Sequence, residues 1–321
     1  MFSGFIMPIK YGRINLSNIE RGFIMQLVEC IPNFSEGRNK ERIDEIVNEI
    51  IKTDGVRLLD VSPDCDHNRT VVTFIGEPQA VAEAAYSACA KASEVIDMSK
   101  HTGEHPRMGA ADVIPFVPVK EVTMDDCVKL AEGLGKKIGD DLHIPVYLYE
   151  SAATKPERSD LAYVRKGQYE GFFDKIKQPG WEPDFGPREV SVKSGVTAVG
   201  ARPPLVAFNV NLNTQDLDIA KKIAKAVRNS SGGLRYVKAI GVNIAEKNMV
   251  QVSMNMTDYK RTPLYRAYEQ IKMEAARYGV SIAESEIIGL LPSEVLIDAA
   301  ISYLQVHSFD SKQLLENHIY E

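Results

Sequence analysis

Apolar and polar positions alternate along this chain in two rhythms, one close to 3.6 residues and one close to 2, and the switches between them outline its elements. Residues 26–31 form a short apolar run that reads as a strand. The turn formers Pro32-Asn33-Phe34-Ser35-Glu36-Gly37 close it, with Asn33 or Ser35 placed to cap the next helix. Between 39 and 52, Ile43, Ile46, Val47 and Ile50 fall at i, i+3, i+4 and i+7, the stripe of an amphipathic helix. Strands are expected at 56–61 and 69–75, and an Ala-rich helix at 78–96. A strand is expected at 113–119, where Pro115 and Pro118 suggest an edge or a bulge. Thr123, Asp125 and Asp126 open a helix over 123–142, and 145–149 reads as a strand. Up to Val119 the order is β-α-β-β-α-β, the split ferredoxin-like arrangement, with a helix and a strand added.

Residues 151–186 break the rhythm. They are charged and aromatic and read as a connecting segment with a short helix at 158–166, followed by a glycine-bounded loop or hairpin from Gly186 to Gly195. The second half then repeats the first: strand 205–211, helix 216–227, strands 237–244 and 249–256 as a hairpin, helix 263–278, strand 281–287 and helix 292–304. The expected fold class is α/β (α+β), with two ferredoxin-like βαββαβ subdomains in tandem, mixed sheets and a cleft between them. Residues 1–24 show no clear period and precede a second methionine, Met25, so they are placed outside the fold. The subdomains are expected at 25–185 and 186–321.

A length of 321 residues accommodates two such units, and 44% apolar with 26% charged residues is a globular balance. The net charge of −6 offers no basic footprint for nucleic acid. No apolar run reaches the roughly 18 residues that span a bilayer. Cys30, Cys65, Cys89 and Cys127 form no C-x-x-C pair and read as free thiols of a reducing cytoplasm.

Candidate chemistry concentrates in 97–119, D-M-S-K-H-T-G-E-H-P-R-M-G-A-A-D-V-I-P-F-V-P-V, a polar loop between two apolar elements. It holds His101 and His105, the side chains whose unperturbed pKa lies nearest neutrality. His101-Thr102-Gly103-Glu104-His105 also matches the H-x-x-E-H zinc-peptidase pattern. That pattern needs a helix, whereas Gly103 disfavours one and Pro106 pushes His105 out of the α region. A zinc hydrolase using His101, Glu104 and His105 therefore stands as the lesser alternative, and no metal is expected.

Several segments together resemble the glutamate formimidoyltransferase family. They are V-E-C-I-P-N-F-S-E-G at 28–37, N-R-T-V-V-T-F at 68–74, H-T-G-E-H-P-R-M-G-A-A-D-V at 101–113, P-V-Y-L-Y at 145–149, W-E-P-D-F-G-P at 181–187 and A-F-N-V-N-L at 207–212. The resemblance runs in order from about Met25 to Ala300. It implies transfer of a formimidoyl group between N5 of tetrahydrofolate and the amine of L-glutamate, in histidine degradation, by a cytoplasmic homodimer acting on small molecules. Tetrahydrofolate would be a co-substrate, no metal would be used, and the cyclodeaminase part found in animal members would be absent. It further implies His105 as the catalytic histidine and a folate-binding segment made of Gly186, Pro187, Arg188, Glu189, Val190, Ser191, Val192, Lys193, Ser194 and Gly195.

The amine of glutamate is mostly protonated at neutral pH, so its attack requires a base, and a His105 titrating near neutrality would supply one. Both substrates carry carboxylates, for which Arg69, Arg107, Arg188 and Lys193 are the candidate cations. Asn33, Ser35, Asn68 and Asp112 are candidates to orient substrate, and Asn209 and Asn211 should share one face of their strand. Two other functions stay open on the residues: transfer of formyl from N-formylglutamate, and a non-catalytic folate-binding protein.

Overall fold

The computed structural model describes residues 26–103 and 105–318; Glu104 and the 1–24 extension lie outside the described residues. The chain divides into two compact units, up to Arg202 and from Pro203. In the first, β1 (Leu27–Cys30), β2 (Asn33–Phe34), α1 (Lys40–Ile51), β3 (Val56–Asp64), β4 (Arg69–Gly76), α2 (Pro78–Val95) and β5 (Ala111–Lys120) form the anticipated β-α-β-β-α-β unit. It continues through α3 (Met124–Asp141), β6 (Val146–Glu150), α4 (Leu161–Arg165), α5 (Gln168–Lys175) and β7 (Thr197–Ala201).

β1 and β2 are one interrupted strand. Both pair antiparallel with β4 and with β5, and β3 pairs the other edge of β4. Beyond β5 the sheet turns parallel, through β7 and then β6. The break falls at Ile31-Pro32, whose backbone still bonds outward, Ile31 N–H to the Pro115 carbonyl (3.3 Å) and the Pro32 carbonyl to Val72 N–H (3.0 Å). The edge expected from Pro115 and Pro118 is not found, since β5 has neighbours on both sides. The prolines sit instead at irregularities, Pro115 opposite the β1/β2 break and Pro118 beside a register shift at Leu27/Val28.

Helix α1 is capped by Asn39, whose side chain accepts from Arg42 N–H (3.1 Å), and not by Asn33 or Ser35. Those two are already committed: Asn33 to the sheet, and Ser35 to Gly109 and Ala110 through its hydroxyl and its backbone N–H. The capping box of α3, from Thr123 to Asp126, forms as its sequence suggests. Cys30, Cys89 and Cys127 are buried in the core that α1, α2 and α3 close over the sheet, and Cys65 is exposed.

In the second unit, β8 (Val206–Leu212), α6 (Leu217–Val227), β9 (Val237–Ile244), β10 (Met249–Met256), α7 (Leu264–Arg277) and β11 (Ile282–Ile288) build an antiparallel sheet in the order β11-β8-β10-β9, followed by α8 (Glu294–Leu304). That is the ferredoxin-like order, and it matches β5-(β1,β2)-β4-β3 in the first unit. Its core gathers Val206, Val210, Val250, Val252, Ile223 and Ile271.

The division at 202/203 lies beyond the boundary expected at 186. The reason is β7, which hydrogen-bonds between β5 and β6 and so ties 186–202 to the first unit. Thr197-Ala198-Val199-Gly200-Ala201 was not expected as a strand. All five residues are buried, so the segment lacks the alternation of a half-exposed strand. The connecting segment likewise holds a second helix, α5, besides the one anticipated.

Candidate active site

The loop from Asp97 to Ala110 is fixed by polar contacts. Arg107 Nε donates to His101 Nδ1 (3.3 Å), and a guanidinium has no acceptor. The His101 proton therefore sits on Nε2, which donates to the Asn68 carbonyl (2.9 Å). Burial, with the Arg107 charge beside it, holds the His101 pKa below its ordinary value. Asn68 occupies the left-handed region (φ 48°), its side chain accepting from Gly37 N–H (2.9 Å) and donating to the Thr102 carbonyl (2.8 Å). Three loops are thus joined at one residue. Both His101 nitrogens are committed to protein partners, and residues 101–103 are not helical, so the geometry required of H-x-x-E-H is not met.

His105 differs. Its ring is half-buried, meets the His67 ring edge-on (centroids 6.4 Å apart, 71° between planes), and has no hydrogen bond to a described residue. His67 is oriented by Asp64, Nδ1 to Oδ2 at 2.7 Å. Burial, the guanidinium charges of Arg69 and Arg165, and His67 push the His105 pKa down to about 3, against the pull of Asp64. The expected titration near neutrality does not hold for the protein on its own: His105 is a neutral imidazole throughout that range.

Strand order assembles this set. β4, β2 and β5 are neighbours, and Arg69, Asn33 and Asp112 lie at their adjoining ends. Asn33 pairs with Val113 while Phe34 pairs with Ala111, so Asp112 is the extra residue of a bulge. Its carboxylate accepts from Met108 N–H (2.8 Å) and from Arg165 Nη2 at the end of α4 (2.7 Å). Arg69 reaches Asn33 Oδ1 at 3.5 Å, a long contact, and has no ion pair among the described residues. The Nε atoms of Arg69 and of Arg165 are buried without a hydrogen-bond partner.

The segment Gly186–Gly195 is sewn to the loop that carries His101 and His105. Met98 N–H bonds to the Lys193 carbonyl (2.8 Å), Ala110 N–H to the Ser194 carbonyl (2.8 Å) and Val196 N–H to the Met108 carbonyl (3.1 Å). The Tyr169 hydroxyl reaches the Val192 carbonyl (2.6 Å). The close approach requires glycine on both strands: a Cβ on Gly195 (φ 73°) would lie 2.2 Å from the Met108 carbonyl oxygen, and one on Gly109 2.3 Å from that of Val196. Gly186, Arg188, Glu189, Val192 and Lys193 are exposed, Pro187 and Ser191 partly so, and Val190 and Ser194 are buried.

Three of the expected cations are spent elsewhere. Arg107 donates bidentately to Glu170 (2.6 and 2.9 Å), to Gln168 (3.0 Å), and to the ring and carbonyl of His101. No donor remains for a substrate carboxylate, and its place as a substrate grip is corrected to that of a loop brace. Arg188 caps the end of α5 through the carbonyls of Ile176, Lys177 and Gln178, and Lys193 caps α2 at Glu94. Asn68 is likewise structural. Arg165, read from the sequence only as a charge in a connecting segment, is the cation that the fold brings to Asp112 and His105 instead.

What holds Arg165 in place lies behind α4. Lys175 donates to the carbonyls of Val164 (2.7 Å) and Lys166 (2.6 Å), with its ammonium 3.8 Å above the Trp181 ring. Burial lowers its pKa to about 8. The fully buried Arg158 pairs with Asp184 (2.7 Å) and the carbonyls of Gly180 and Glu182. The W-E-P-D-F motif is therefore a structural clamp on the segment that carries Arg165.

A neutral imidazole with no hydrogen bond to a described residue, next to the guanidiniums of Arg69 and Arg165 at one end of a ferredoxin-like sheet, is an arrangement that can exchange a proton and attract an anion. Among known sequence families, the one described as "Formiminotransferase domain, N-terminal subdomain" matches residues 27–202, and "Formiminotransferase domain" matches 207–318. The chain belongs to the formiminotransferase family. It is 54% identical to glutamate formimidoyltransferase of Streptococcus pyogenes serotype M1, over 92% of this chain and 99% of that protein. It is 52% identical to that of Thermoplasma acidophilum, over 91% and 97%. The formimidoyltransferase-cyclodeaminase of Rattus norvegicus is 46% identical over 87% of this chain, which spans 52% of that longer protein.

Proposed function

We infer that the protein is a glutamate formimidoyltransferase, converting N-formimidoyl-L-glutamate and tetrahydrofolate into 5-formimidoyltetrahydrofolate and L-glutamate. The observation that carries this is the match over nine-tenths of the chain to glutamate formimidoyltransferases, in a chain whose His105 ring has no hydrogen bond to a described residue. N5 of the folate attacks the formimidoyl carbon, and the tetrahedral intermediate expels the glutamate amine. The N5 proton leaves through His105, acting as base, and is returned by it, acting as acid, to the departing amine. In the reverse direction the same ring takes the proton of the glutamate ammonium. Segment 186–195 is the proposed folate site, supported by its hydrogen bonds to the loop that carries His105. Asn33 and Arg69 are proposed to contact substrate. Holding both substrates there makes the attack effectively intramolecular.

Binding as a homodimer is the accompanying proposal. It is supported by exposed large apolar residues late in the chain, Leu290, Leu296, Tyr303, Leu304, Val306 and Leu315. No helix among the described residues is long and apolar enough to cross a membrane, and a cytoplasmic site of action is proposed on that family reading.

The test is formation of 5-formimidoyltetrahydrofolate from the two substrates by wild-type protein and His105→Ala, each with and without chelator. The expected outcome is wild-type turnover indifferent to chelator and a loss of about 10²–10⁴-fold in the variant. Turnover only with N-formylglutamate would change the transferred group, and turnover abolished by chelator would revive metal hydrolysis.

A further inference from the structure

We propose that Arg69 and Arg165 together seat the α-carboxylate of the amino-acid substrate, and that the seated carboxylate turns His105 into a working base. The inference rests on the transferase function above and adds residues and an order of events to it. Arg165 gives one arm of its fork to Asp112, and among the described residues the Arg69 side chain has one long hydrogen bond, to Asn33 at 3.5 Å, yet each keeps a buried Nε with no partner among the described residues. Leaving one such donor unmade in the interior is costly, and leaving two around one ring points to a ligand that completes them. Two planar forks select a planar, bidentate anion, and a carboxylate is that anion in glutamate and in its formimidoyl derivative. The α-carboxylate is favoured over the side-chain carboxylate because its carbon also bears the nitrogen that must exchange a proton with His105.

Binding would also resolve a conflict in the site. An imidazole kept neutral by burial and cations is a poor proton acceptor for an amine. Among the described residues, the charged or titratable groups bearing on His105 are Arg69 from β4, Arg165 from α4, Asp64 at the end of β3 and His67 from the turn after it. Asp64 is turned to His67 and Asp112 to Arg165, so neither fully offsets the two cations. A substrate carboxylate placed on them removes the electrostatic part of the suppression while leaving the burial part. His105 would thus gain basicity only when the amine it serves has arrived.

The experiment follows the His105 ring by NMR in histidine-labelled full-length protein, assigned with His105→Gln, in the absence of folate so that no turnover is needed. In the free protein its signals should remain those of neutral imidazole to the acid limit of folding. Saturating L-glutamate should move its midpoint upward by about one pH unit or more. The probe 4-aminobutyrate, which keeps the amine and the distal carboxylate but lacks the α-carboxylate, should leave it in place. Arg69→Gln, which breaks no ion pair, should weaken glutamate binding at least about tenfold and start with a raised midpoint. Arg165→Lys, which keeps the charge opposite Asp112, should bind more weakly than wild type while retaining the low midpoint. Equal responses to glutamate and 4-aminobutyrate, or Arg69→Gln binding glutamate as tightly as wild type, would overturn the seat. Wild-type formimidoyl transfer alongside either of those results would spare the transferase reading. A glutamate-specific response in a protein that transfers nothing would uphold the seat and sink that reading instead.

Discussion

The two sheets share a strand order and differ in how their polar groups are treated. On the second sheet, Gln251 donates to Asn211 (2.9 Å) and to Glu286 (2.9 Å), Asn209 to Glu286 (3.1 Å), Asn211 to Glu284 (2.9 Å), and Lys247 to Glu284 (2.6 Å). Amides and carboxylates there complete one another across neighbouring strands. At the end of the first sheet, where its first strand is broken, β5 bulges and Asn68 turns left-handed, the buried Nε atoms of two half-buried arginines, Arg69 and Arg165, have no hydrogen-bond partner among the described residues. The same fold holds a satisfied polar network in one unit and an unsatisfied one in the other. The irregular end is the one where the proposed site lies, since an incomplete buried group is tolerated where a ligand completes it.

The largest effect should come from the seam of the first unit. Gly195→Ala must place a side chain at φ 73° and 2.2 Å from the Met108 carbonyl oxygen, for a loss of about 3 kcal/mol, with transfer lost as well. Gly279→Ala, at φ 68° but with nothing within 4 Å, should cost about 1–2 kcal/mol and leave transfer unchanged. Denaturant melts of both, with activity alongside, measure the contrast. Similar losses for the two would show that the seam yields easily and that segment 186–195 is not held rigidly against the His105 loop.

A smaller effect should separate the two polar networks. Gln251→Leu leaves Asn211 and Glu286 short of a donor in a region where Gln251 is 5% exposed, so it should lower stability by about 1–3 kcal/mol. The loss should appear in the melting temperature and not in kcat. If kcat falls tenfold at unchanged stability, the network of the second sheet is functional and the contrast between the sheets breaks.

These contrasts also mark what could be read from the chain itself. Both β-α-β-β-α-β units were legible because their half-buried strands and helix stripes carry the period of one exposed face. β7 was not, being buried on both faces and built of small residues. His105 stood out through its local company. Arg165 did not, because Asp112, the partner that defines it, lies 53 residues away. Arg107 misled for the same reason in reverse: the acceptors that use up its guanidinium sit at Gln168 and Glu170, on a helix the sequence did not announce. Residue type is local information, whereas whether a cation is spent or free depends on distant packing.

A third test probes the unsatisfied site through stability alone. The folded-state pKa of His105, about 3, lies below the roughly 6.5 of an unfolded histidine, so the native state excludes a proton that the unfolded chain takes up. Its folded state is therefore free of this penalty above about pH 6.5 and loses stability as pH falls toward 3. The limiting slope is about 1.4 kcal/mol per pH unit. His101, lowered by burial, contributes in the same direction. Carboxylates held low, such as Asp64 and Glu36, begin to matter only further down, as pH drops below the ordinary carboxylate range. Glu29 and Asp112, whose carboxyls burial raises, act in the opposite direction as pH falls, so the contribution of His105 is read as a difference between proteins: from pH 6.5 to about 4.5, His105→Asn should flatten the decline of denaturant stability seen in the wild type. A decline unchanged in His105→Asn would mean that the ring is protonated without cost in the folded protein. Arg69 and Arg165 would then not be bearing on it with the force their unpartnered nitrogens imply.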